Sequence, residues 1–325
     1  DKVTPLADGV ELSAGKVLVR ITAVSPAIVR VRYAPSGTFG PYESFAVVPD
    51  TGLKAPGIKV EDSADRLWFS TGEVTVIVEK SPLHVSFADN SGRAILADRA
   101  DLPVMFSKEG FRVWKVMPED EHYYGLGDKA VSEDRRNHGF TMWNTDAVHW
   151  EESTDPLYKS VPFFLGIRQG RAYGLFLDNT YRTSFEFGEQ NHGFFSFGSE
   201  GGELKYYVIN RPEPKKVLEN YAALTGHTPL PPLFTLGYQQ CRWSYYPETR
   251  VRRLAAEFRK RRIPADVLYL DIDYQDHYRP FTINREYFPT FESMIKDLAN
   301  EGFKVVAITD LHIAAVPGYK PYDDG

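Results

Sequence analysis

The chain has 325 residues, of which 42% are hydrophobic and 25% are charged, as is usual for globular proteins with a buried core. Its formal net charge is −6 and its densest basic run, at 250–262, falls on a predicted amphipathic helix, which disfavours a nucleic-acid partner. No apolar run has membrane-spanning length, and a single cysteine excludes an intrachain disulfide framework. We therefore predict a soluble protein without a membrane partner, located in the cytoplasm, in the periplasm or outside the cell.

Residues 1–227 are predicted to form an N-terminal β-sandwich domain. Short segments with alternating apolar residues are separated there by clusters of Gly, Pro, Asn and Asp, and helical patterns are few. The predicted strands lie around residues 17–21, 28–33, 74–79, 83–87, 173–177, 184–187 and 204–209.

Residues 228–325 have a different spacing of apolar residues, which predicts the order β-α-β-α-β. The predicted strands cover 234–240, 267–272 and 304–309, and the predicted helices cover 247–262 and 291–300. The second and third strands are nearly continuous apolar runs, as expected for a parallel sheet that is covered on both faces. A doubly wound sheet and a (β/α)8 barrel both fit this order. Because three strands cannot close a barrel, we expect the chain to be a piece of a longer protein or half of a nicked one.

Two aspartates follow the second strand of this half. Ligands of parallel α/β folds bind at the carboxyl ends of the strands, where Asp271 and Asp273 stand. Strand alternation would place both carboxylates on one side, where they could accept hydrogen bonds from a polyhydroxyl ligand. The alternative is structural: one of the pair caps the following loop or forms an ion pair with Arg279.

Other segments carry weaker signals. Trp143 and Asp146 lie in a stretch that could stack on and hydrogen-bond a sugar, although its Asn-Thr-Asp sequence is also typical of a turn. The lone Gly-x-Gly at 125–127 lacks the remainder of a nucleotide-binding motif, and the histidines show no metal-ligand spacing. We therefore predict neither a cofactor nor a metal. Cys241 is interpreted as a buried structural thiol.

Taken in order, several segments resemble glycoside hydrolases of family 31, from about residue 120 to the end. The matching segments are 124–128 (Tyr-Gly-Leu-Gly-Asp), 142–147 (Met-Trp-Asn-Thr-Asp-Ala), 155–164 (Asp-Pro-Leu-Tyr-Lys-Ser-Val-Pro-Phe-Phe), 173–183, 236–247 and 270–274 (Leu-Asp-Ile-Asp-Tyr). The resemblance implies a β-sandwich followed by the first three strands of a (β/α)8 TIM barrel. It also implies exo-cleavage of an α-linked sugar with retention of configuration, by a carboxylate nucleophile and a carboxyl acid/base.

The resemblance assigns binding roles to five residues. Asp271 is expected to bind sugar hydroxyls in the −1 subsite, and Ile272 and Ile308 to line that pocket. Trp243 is expected to form an aromatic wall. Asp146, on a sandwich loop, is expected to touch the −1/+1 region.

The resemblance places no catalytic residue in this chain. The nucleophile and the acid/base of the family lie on later barrel strands, so both are expected beyond Gly325, in the remainder of the barrel. The sequence departs from the family at 275–277 and after Asp310, which affects the expected leaving-group preference.

The expected substrate is an oligosaccharide or α-glucoside, with α-glucosidase as the leading activity. An α-xylosidase, an α-galactosidase or an α-transglucosylase of the same family, or a non-catalytic sugar-binding fragment, are the alternatives. A lyase on a (β/α)8 barrel would need a Schiff-base lysine or metal ligands at the strand ends, and the three strands offer neither.

Overall fold

The computed structural model describes residues 2–108 and 110–325, and the chain divides into two compact units. The first unit comprises Asp1–His227 and the second comprises Thr228–Gly325.

The described residues of the first unit are almost entirely β-structure. They form strands β1 (Val3–Pro5), β2 (Gly9–Ala14), β3 (Val17–Ser25), β4 (Ile28–Ala34), β5 (Lys59–Asp62), β6 (Arg66–Ser70), β7 (Val74–Lys80), β8 (Leu83–Asp89), β9 (Ala94–Ala97), β10 (Val104–Phe106), β11 (Phe111–Val116), β12 (Glu121–Gly127), β13 (Gly139–Met142), β14 (Ser160–Arg168), β15 (Arg171–Leu177), β16 (Thr183–Glu186), β17 (Phe194–Ser199) and β18 (Leu204–Asn210), followed by helix α1 (Pro214–Thr225).

These strands form three antiparallel sheets. An eight-stranded sheet has the order β1-β2-β3-β4-β18-β15-β14-β12, and two five-stranded sheets have the orders β10-β11-β17-β16-β13 and β5-β6-β7-β8-β9. All three sheets contribute fully buried residues to one core, including Val31, Val76 and Phe197. In β7 the alternation is complete, because Val74, Val76 and Val78 are buried while the residues between them are half-buried. The predicted sandwich is therefore confirmed, and each of the seven predicted strands is present.

Helix α1 was not among the predicted elements. Val217, Tyr221 and Leu224 follow the i, i+4, i+7 spacing of an amphipathic helix. They pack on the second face of the eight-stranded sheet, where the ring of Tyr221 stacks on Phe163 at a centroid distance of 4.0 Å. This helix closes the sheet face that the main core leaves uncovered.

The second unit is the beginning of an α/β barrel. Its strands β19 (Gln239–Gln240), β20 (Val267–Leu270) and β21 (Lys304–Ala307) are parallel and lie in the order β19-β20-β21. Its helices are α2 (Glu248–Lys260), α3 (Phe291–Asn300) and α4 (Lys320–Asp324), with 3-10 turns at Leu233–Leu236, Ile272–Tyr274 and Asp276–Tyr278. The apolar stripes of α2 and α3 bury Val251, Ala255, Met294 and Leu298 in one core with Leu268 of β20.

The predicted strand at 234–240 is wrong over most of its length. Residues Leu233–Leu236 form a 3-10 turn in which Thr235 N–H donates to the carbonyl of Pro232. Pro232 fixes the backbone before this turn, and only Gln239–Gln240 pair with β20. Leu233 and Leu236 are 84% and 72% exposed, so this apolar run does not reflect burial in a sheet.

A buried ion pair connects strands inside the sandwich. The side chains of Lys115 and Asp98 are 0% and 1% exposed, and the ammonium group of Lys115 donates to Asp98 Oδ1. Asp98 Oδ2 accepts a hydrogen bond of 2.7 Å from the backbone N–H of Val85. The pair thereby ties β11 of one five-stranded sheet to β8 of the other. Removal of one partner leaves a buried charge without compensation, which is strongly destabilising.

We predict that Lys115→Met lowers the free energy of unfolding by about 3–5 kcal/mol, because Asp98 is then buried without its counter-ion. Arg66→Met is the matched control: the ion pair of Arg66 with Glu79 is exposed, so its loss is expected to cost less than about 1 kcal/mol. Urea unfolding followed by fluorescence measures both changes. Equal effects of the two substitutions would contradict the role given to the buried pair.

Glu121 is a second buried charged group, at the start of β12. The residue is 3% exposed, and its Oε1 accepts a hydrogen bond of 2.7 Å from the hydroxyl of Tyr173. Burial raises the pKa of the Glu121 carboxyl, although the hydrogen bond from Tyr173 opposes this effect. Between the unfolded and the folded pKa, the folded protein binds the proton more tightly than the unfolded chain does. Stability from this group is therefore greatest at low pH and falls as the pH rises through the folded pKa.

We predict that Glu121→Gln reduces this loss of stability with increasing pH, because the amide keeps the acceptor for Tyr173 and carries no charge. The comparison is the urea midpoint over a pH series that starts below the ordinary pKa of a glutamate and rises through neutral pH. Glu119→Gln, at an exposed position two residues away, is the control. If parent and Glu121→Gln show the same pH dependence, the buried carboxyl does not titrate as described.

Candidate active site

The candidate active site lies at the carboxyl edge of the three parallel strands in the second unit. β20 is the central strand, and Leu270 at its end pairs with Ala307 of β21. The register continues beyond the strand, because Ile308 N–H donates to the carbonyl of Leu270 at 2.9 Å. Parallel pairing therefore brings Asp271 and Ile308 to the same edge.

Asp271 is the first residue after β20 and caps a 3-10 turn. Its Oδ1 accepts a hydrogen bond of 2.8 Å from the backbone N–H of Ile272. Its other oxygen, Oδ2, has no hydrogen-bond partner among residues 2–108 and 110–325, and the side chain is partly exposed. One carboxylate oxygen thus fixes the orientation of the side chain, and the other is available to accept a hydrogen bond from a ligand.

Asp273 has a different role from Asp271. Because β20 ends at Leu270 and a 3-10 turn follows, strand alternation does not place the two aspartates on one side. Asp273 Oδ2 accepts a hydrogen bond of 3.1 Å from the indole Nε1–H of Trp243. Asp273 Oδ1 lies 3.4 Å from the hydroxyl of Tyr278, whose pKa is raised chiefly by the charge of Asp273. The carboxylate therefore orients two exposed aromatic side chains.

Trp243 lies in the segment after β19 and is 73% exposed. Its ring is held at one end by the hydrogen bond to Asp273, and its apolar face is open. Tyr278, 59% exposed, is bound to the same carboxylate. An aromatic ring that is fixed at its polar atom and exposed on its face is suited to stacking on an apolar ring surface.

The position of Ile308 is fixed by two buried side chains. The carbonyl of Ile308 accepts hydrogen bonds from Tyr274 Oη at 2.9 Å and from Gln275 Nε2 at 3.3 Å. Tyr274 and Gln275 are 8% and 2% exposed. Gln275 also donates to the carbonyl of Thr309 at 3.1 Å. The loop after β20 therefore holds the end of β21 in place, and the side chain of Ile308 is 38% exposed at the edge.

Asp146 belongs to the first unit, so its contacts are given within that unit. It lies on the exposed loop of residues 143–159 between β13 and β14, and its side chain has no hydrogen bond to another described residue. The base of the loop is ordered by Asp155, which accepts hydrogen bonds from Thr141 N–H at 2.6 Å and from Lys129 Nζ at 2.7 Å. Asn144 Oδ1 accepts from Ser160 N–H at 2.9 Å. The loop is therefore anchored at both ends, with Asp146 projecting between them.

The structure brings together Asp271, Ile272, Ile308 and Trp243 around the end of β20. The sequence left a structural alternative for Asp271 and Asp273, in which one of them caps the next loop or pairs with Arg279. Arg279 pairs with Asp276 instead. The capping role belongs to Asp271, whose Oδ1 accepts from Ile272 N–H. The contact between Asp273 and Trp243 was not predicted, although the neighbouring positions of β19 and β20 could have suggested it. The interpretation of Cys241 as a buried thiol is wrong, because this residue follows β19 and is exposed.

Among the described residues, no group of three or more His, Cys, Asp or Glu side chains is placed to hold a metal ion. No helix in the described ranges has the length and apolar character needed to cross a membrane.

Two family models match separate parts of the chain. Residues 18–186 match the N-terminal galactose mutarotase-like domain of glycosyl hydrolase family 31, and residues 228–325 match the TIM-barrel domain of the same family.

Curated proteins with similar sequences carry α-glucosidase names. α-Glucosidase 2 from Bacillus thermoamyloliquefaciens is 40% identical over 311 residues, which cover 95% of this chain and 39% of that protein. An α-glucosidase from Saccharolobus solfataricus is 33% identical over 213 residues, which cover 66% of this chain and 31% of that protein. The chain thus spans well under half the length of these relatives.

Solved structures show the same fold. A family 31 dextranase from Flavobacterium johnsoniae, complexed with isomaltotriose, superposes with a TM-score of 0.87 at 33% identity, over 94% of this chain and 38% of that chain. A family 31 α-xylosidase from a soil metagenome superposes with a TM-score of 0.85 at 17% identity, over 100% of this chain and 49% of that chain. The first family model alone covers more than half of the chain, and the second covers the barrel strands that carry the candidate site. The chain therefore belongs to glycoside hydrolase family 31.

Proposed function

We propose that this chain supplies the sugar-binding part of the −1 subsite of a retaining, exo-acting α-glycosidase, most specifically an α-glucosidase. The observation that carries the proposal is the free Oδ2 of Asp271, which lies at the carboxyl edge of β20 in a side chain oriented by its own backbone cap. A carboxylate oxygen accepts hydrogen bonds from neighbouring sugar hydroxyls and selects against ligands that lack them.

The residues around Asp271 complete a binding surface for one sugar ring. Ile272 and Ile308 provide apolar walls, and Trp243 provides an aromatic face. The α-glucosidase names of the relatives and the isomaltotriose bound by the dextranase support an α-linked glucoside as the ligand. Asp146, an exposed residue of the 143–159 loop in the sandwich unit, stays a predicted contact of the −1/+1 region.

In this proposal the bond-breaking carboxylates belong to barrel strands that follow the third strand. A retaining glycosidase needs one carboxylate that attacks the anomeric carbon and one carboxyl group that protonates the leaving oxygen and later deprotonates water. Asp273 is engaged by Trp243 and Tyr278, and Asp271 is engaged by the backbone of Ile272. Both are therefore assigned to binding and positioning.

We predict that Asp271→Asn lowers kcat/KM for p-nitrophenyl α-glucoside by about 100-fold or more, since charged hydrogen bonds to the sugar hydroxyls are lost. The measurement uses a protein that carries this chain within a complete barrel. Asp297→Asn, on α3 and paired with Arg252, is the control and is expected to retain activity. An active Asp271→Asn enzyme would exclude the assigned role, and an inactive parent would exclude the proposed activity.

We predict that Asp273→Ala raises KM several-fold with a smaller change in kcat, because the ring of Trp243 loses its fixed orientation. Trp243→Phe keeps a ring and removes the N–H donor, so the double variant is expected to be little worse than Trp243→Phe alone. Steady-state kinetics of the two single variants and the double variant give the coupling. Fully additive effects would show that Asp273 does not act through Trp243.

A further inference from the structure

The second unit contains a cavity that is lined by three arginines. Its volume is about 790 Å³, and it lies between the segment after β19 and helix α2. The side chains of Arg242, Arg250 and Arg253 line it, and none of them forms a hydrogen bond or an ion pair with another residue of 2–108 or 110–325. Glu257 also lines the cavity, but its carboxylate is paired with Arg261 at 2.8 Å. This arginine cavity therefore carries positive charge that the described residues do not neutralise.

The other basic residues of α2 have partners. Arg252 donates to Asp297 Oδ2 at 2.7 Å, and Arg259 donates to the carbonyl of Glu301 at 3.0 Å. The absence of partners is thus confined to the side of α2 that lines the cavity. A guanidinium group is a planar set of donors that matches a carboxylate, so arginine is favoured for ion pairs at interfaces.

The arginine cavity lies on the side of α2 that is turned away from α3. Arg252 contacts α3 through Asp297. Arg250 and Arg253 are rotated from Arg252 around the helix axis by about 160° and about 100°, at 3.6 residues per turn. The helices of a (β/α)8 barrel form an outer ring, in which each helix has a neighbour on either side. The cavity therefore lies where the second neighbour of α2 belongs.

Strand β19 has a free edge as well. It stands at the end of the order β19-β20-β21, so β20 pairs with one of its edges and no strand among the described residues pairs with the other. Closure of a barrel leaves no strand edge unpaired, because the last strand pairs with the first. Residues 228–325 match the TIM-barrel domain of family 31, and β19 is the first strand of this unit. The last βα unit of that barrel therefore belongs beside β19 and α2.

We propose that the arginine cavity is the docking surface for the last βα unit of the barrel, and that this unit presents carboxylate groups to Arg242, Arg250 and Arg253. Charge complementarity selects the occupant, since three guanidinium groups without counter-ions favour an acidic segment over an apolar or basic one. The proposal rests on the barrel fold and not on the proposed α-glucosidase activity.

The docked segment would also support the candidate active site. Arg242 directly precedes Trp243, and Arg242 and Arg250 each lie 5.9 Å from the centroid of the Tyr245 ring. Tyr245 is buried, and its hydroxyl accepts a hydrogen bond of 2.8 Å from Nε2 of Gln240, the last residue of β19. Tyr245 thus holds the two guanidinium groups on one side. Carboxylates on the other side would fix the segment that carries Trp243.

A crystal structure of the protein with its complete barrel tests the proposal without any substitution. Carboxylate oxygens of the last βα unit are expected within about 4 Å of at least two of the three guanidinium groups. Fewer than two such pairs, or carboxylates supplied by another part of the protein, would overturn it.

Substitutions in the same complete protein test whether the ion pairs hold the barrel together. Arg250→Gln and Arg253→Gln are each expected to shorten the half-life of the folded protein at a fixed elevated temperature by at least about fivefold, because each leaves a carboxylate at the interface unpaired. Lys260→Gln is the matched control: it lies on the same helix, its side chain is 77% exposed and it does not line the cavity, so a change below about twofold is expected.

Tryptophan fluorescence follows the loss of the fold, so the half-lives are measured without any activity and a failure of the proposed function stays distinguishable. Equal half-lives of the three variants would contradict the proposed docking surface.

A small anion is the alternative occupant of the cavity. Half-lives in inorganic phosphate and in chloride, at equal pH and ionic strength, are compared for the parent and for the double variant Arg250→Gln/Arg253→Gln. Phosphate strengthens burial in general, so both proteins are expected to gain by the same factor. A gain from phosphate that is larger in the parent than in the double variant would show that a small anion occupies the cavity, and the proposal would then be wrong.

Discussion

The candidate active site depends on the parallel pairing of β20 with its two neighbours. Parallel strands place their carboxyl ends at one edge of a sheet, so residues that are far apart in the chain meet there. Trp243 follows β19, Asp271 follows β20 and Ile308 follows β21. The apolar stripes of α2 and α3 cover the sheet and hold this register, and the polar residues at the edge are positioned as a consequence.

The two aspartates after β20 have different roles: Asp273 orients neighbouring side chains, and Asp271 is available to bind a ligand. Asp273 accepts from Trp243 and Tyr278, so its charge is used inside the protein to orient aromatic rings. Asp271 uses one oxygen for its backbone cap and leaves the other available. Behind them, Tyr274 and Gln275 fix the carbonyl of Ile308. A binding surface whose side chains are oriented before the ligand arrives loses less conformational entropy on binding.

Much of the fold could be predicted from local patterns, because burial imposes a period on the sequence. The alternation in β7 and the helical spacing in α3 each reflect one buried face, and both elements lie where the pattern indicates. The prediction was wrong at residues 233–236 because an apolar run alone does not distinguish a buried strand from an exposed turn. Pro232 initiates a 3-10 turn there instead. Cys241 was misassigned for a related reason, since β19 is only two residues long and ends before it.

The roles of individual site residues were harder to predict from the sequence. The position of Asp271 at a strand end was predictable, but the difference between Asp271 and Asp273 depends on a 3-10 turn that begins after Asp271. The bond from Trp243 to Asp273 needs the register of β19 against β20, which is a tertiary property.

The most direct test of the central claim is a crystal structure of the protein within a complete barrel, with glucose or isomaltotriose bound. The account predicts that Asp271 Oδ2 lies about 2.7–3.0 Å from sugar hydroxyls and that the ring rests beside Trp243. A sugar bound in the barrel cleft without any hydrogen bond to Asp271 would contradict it.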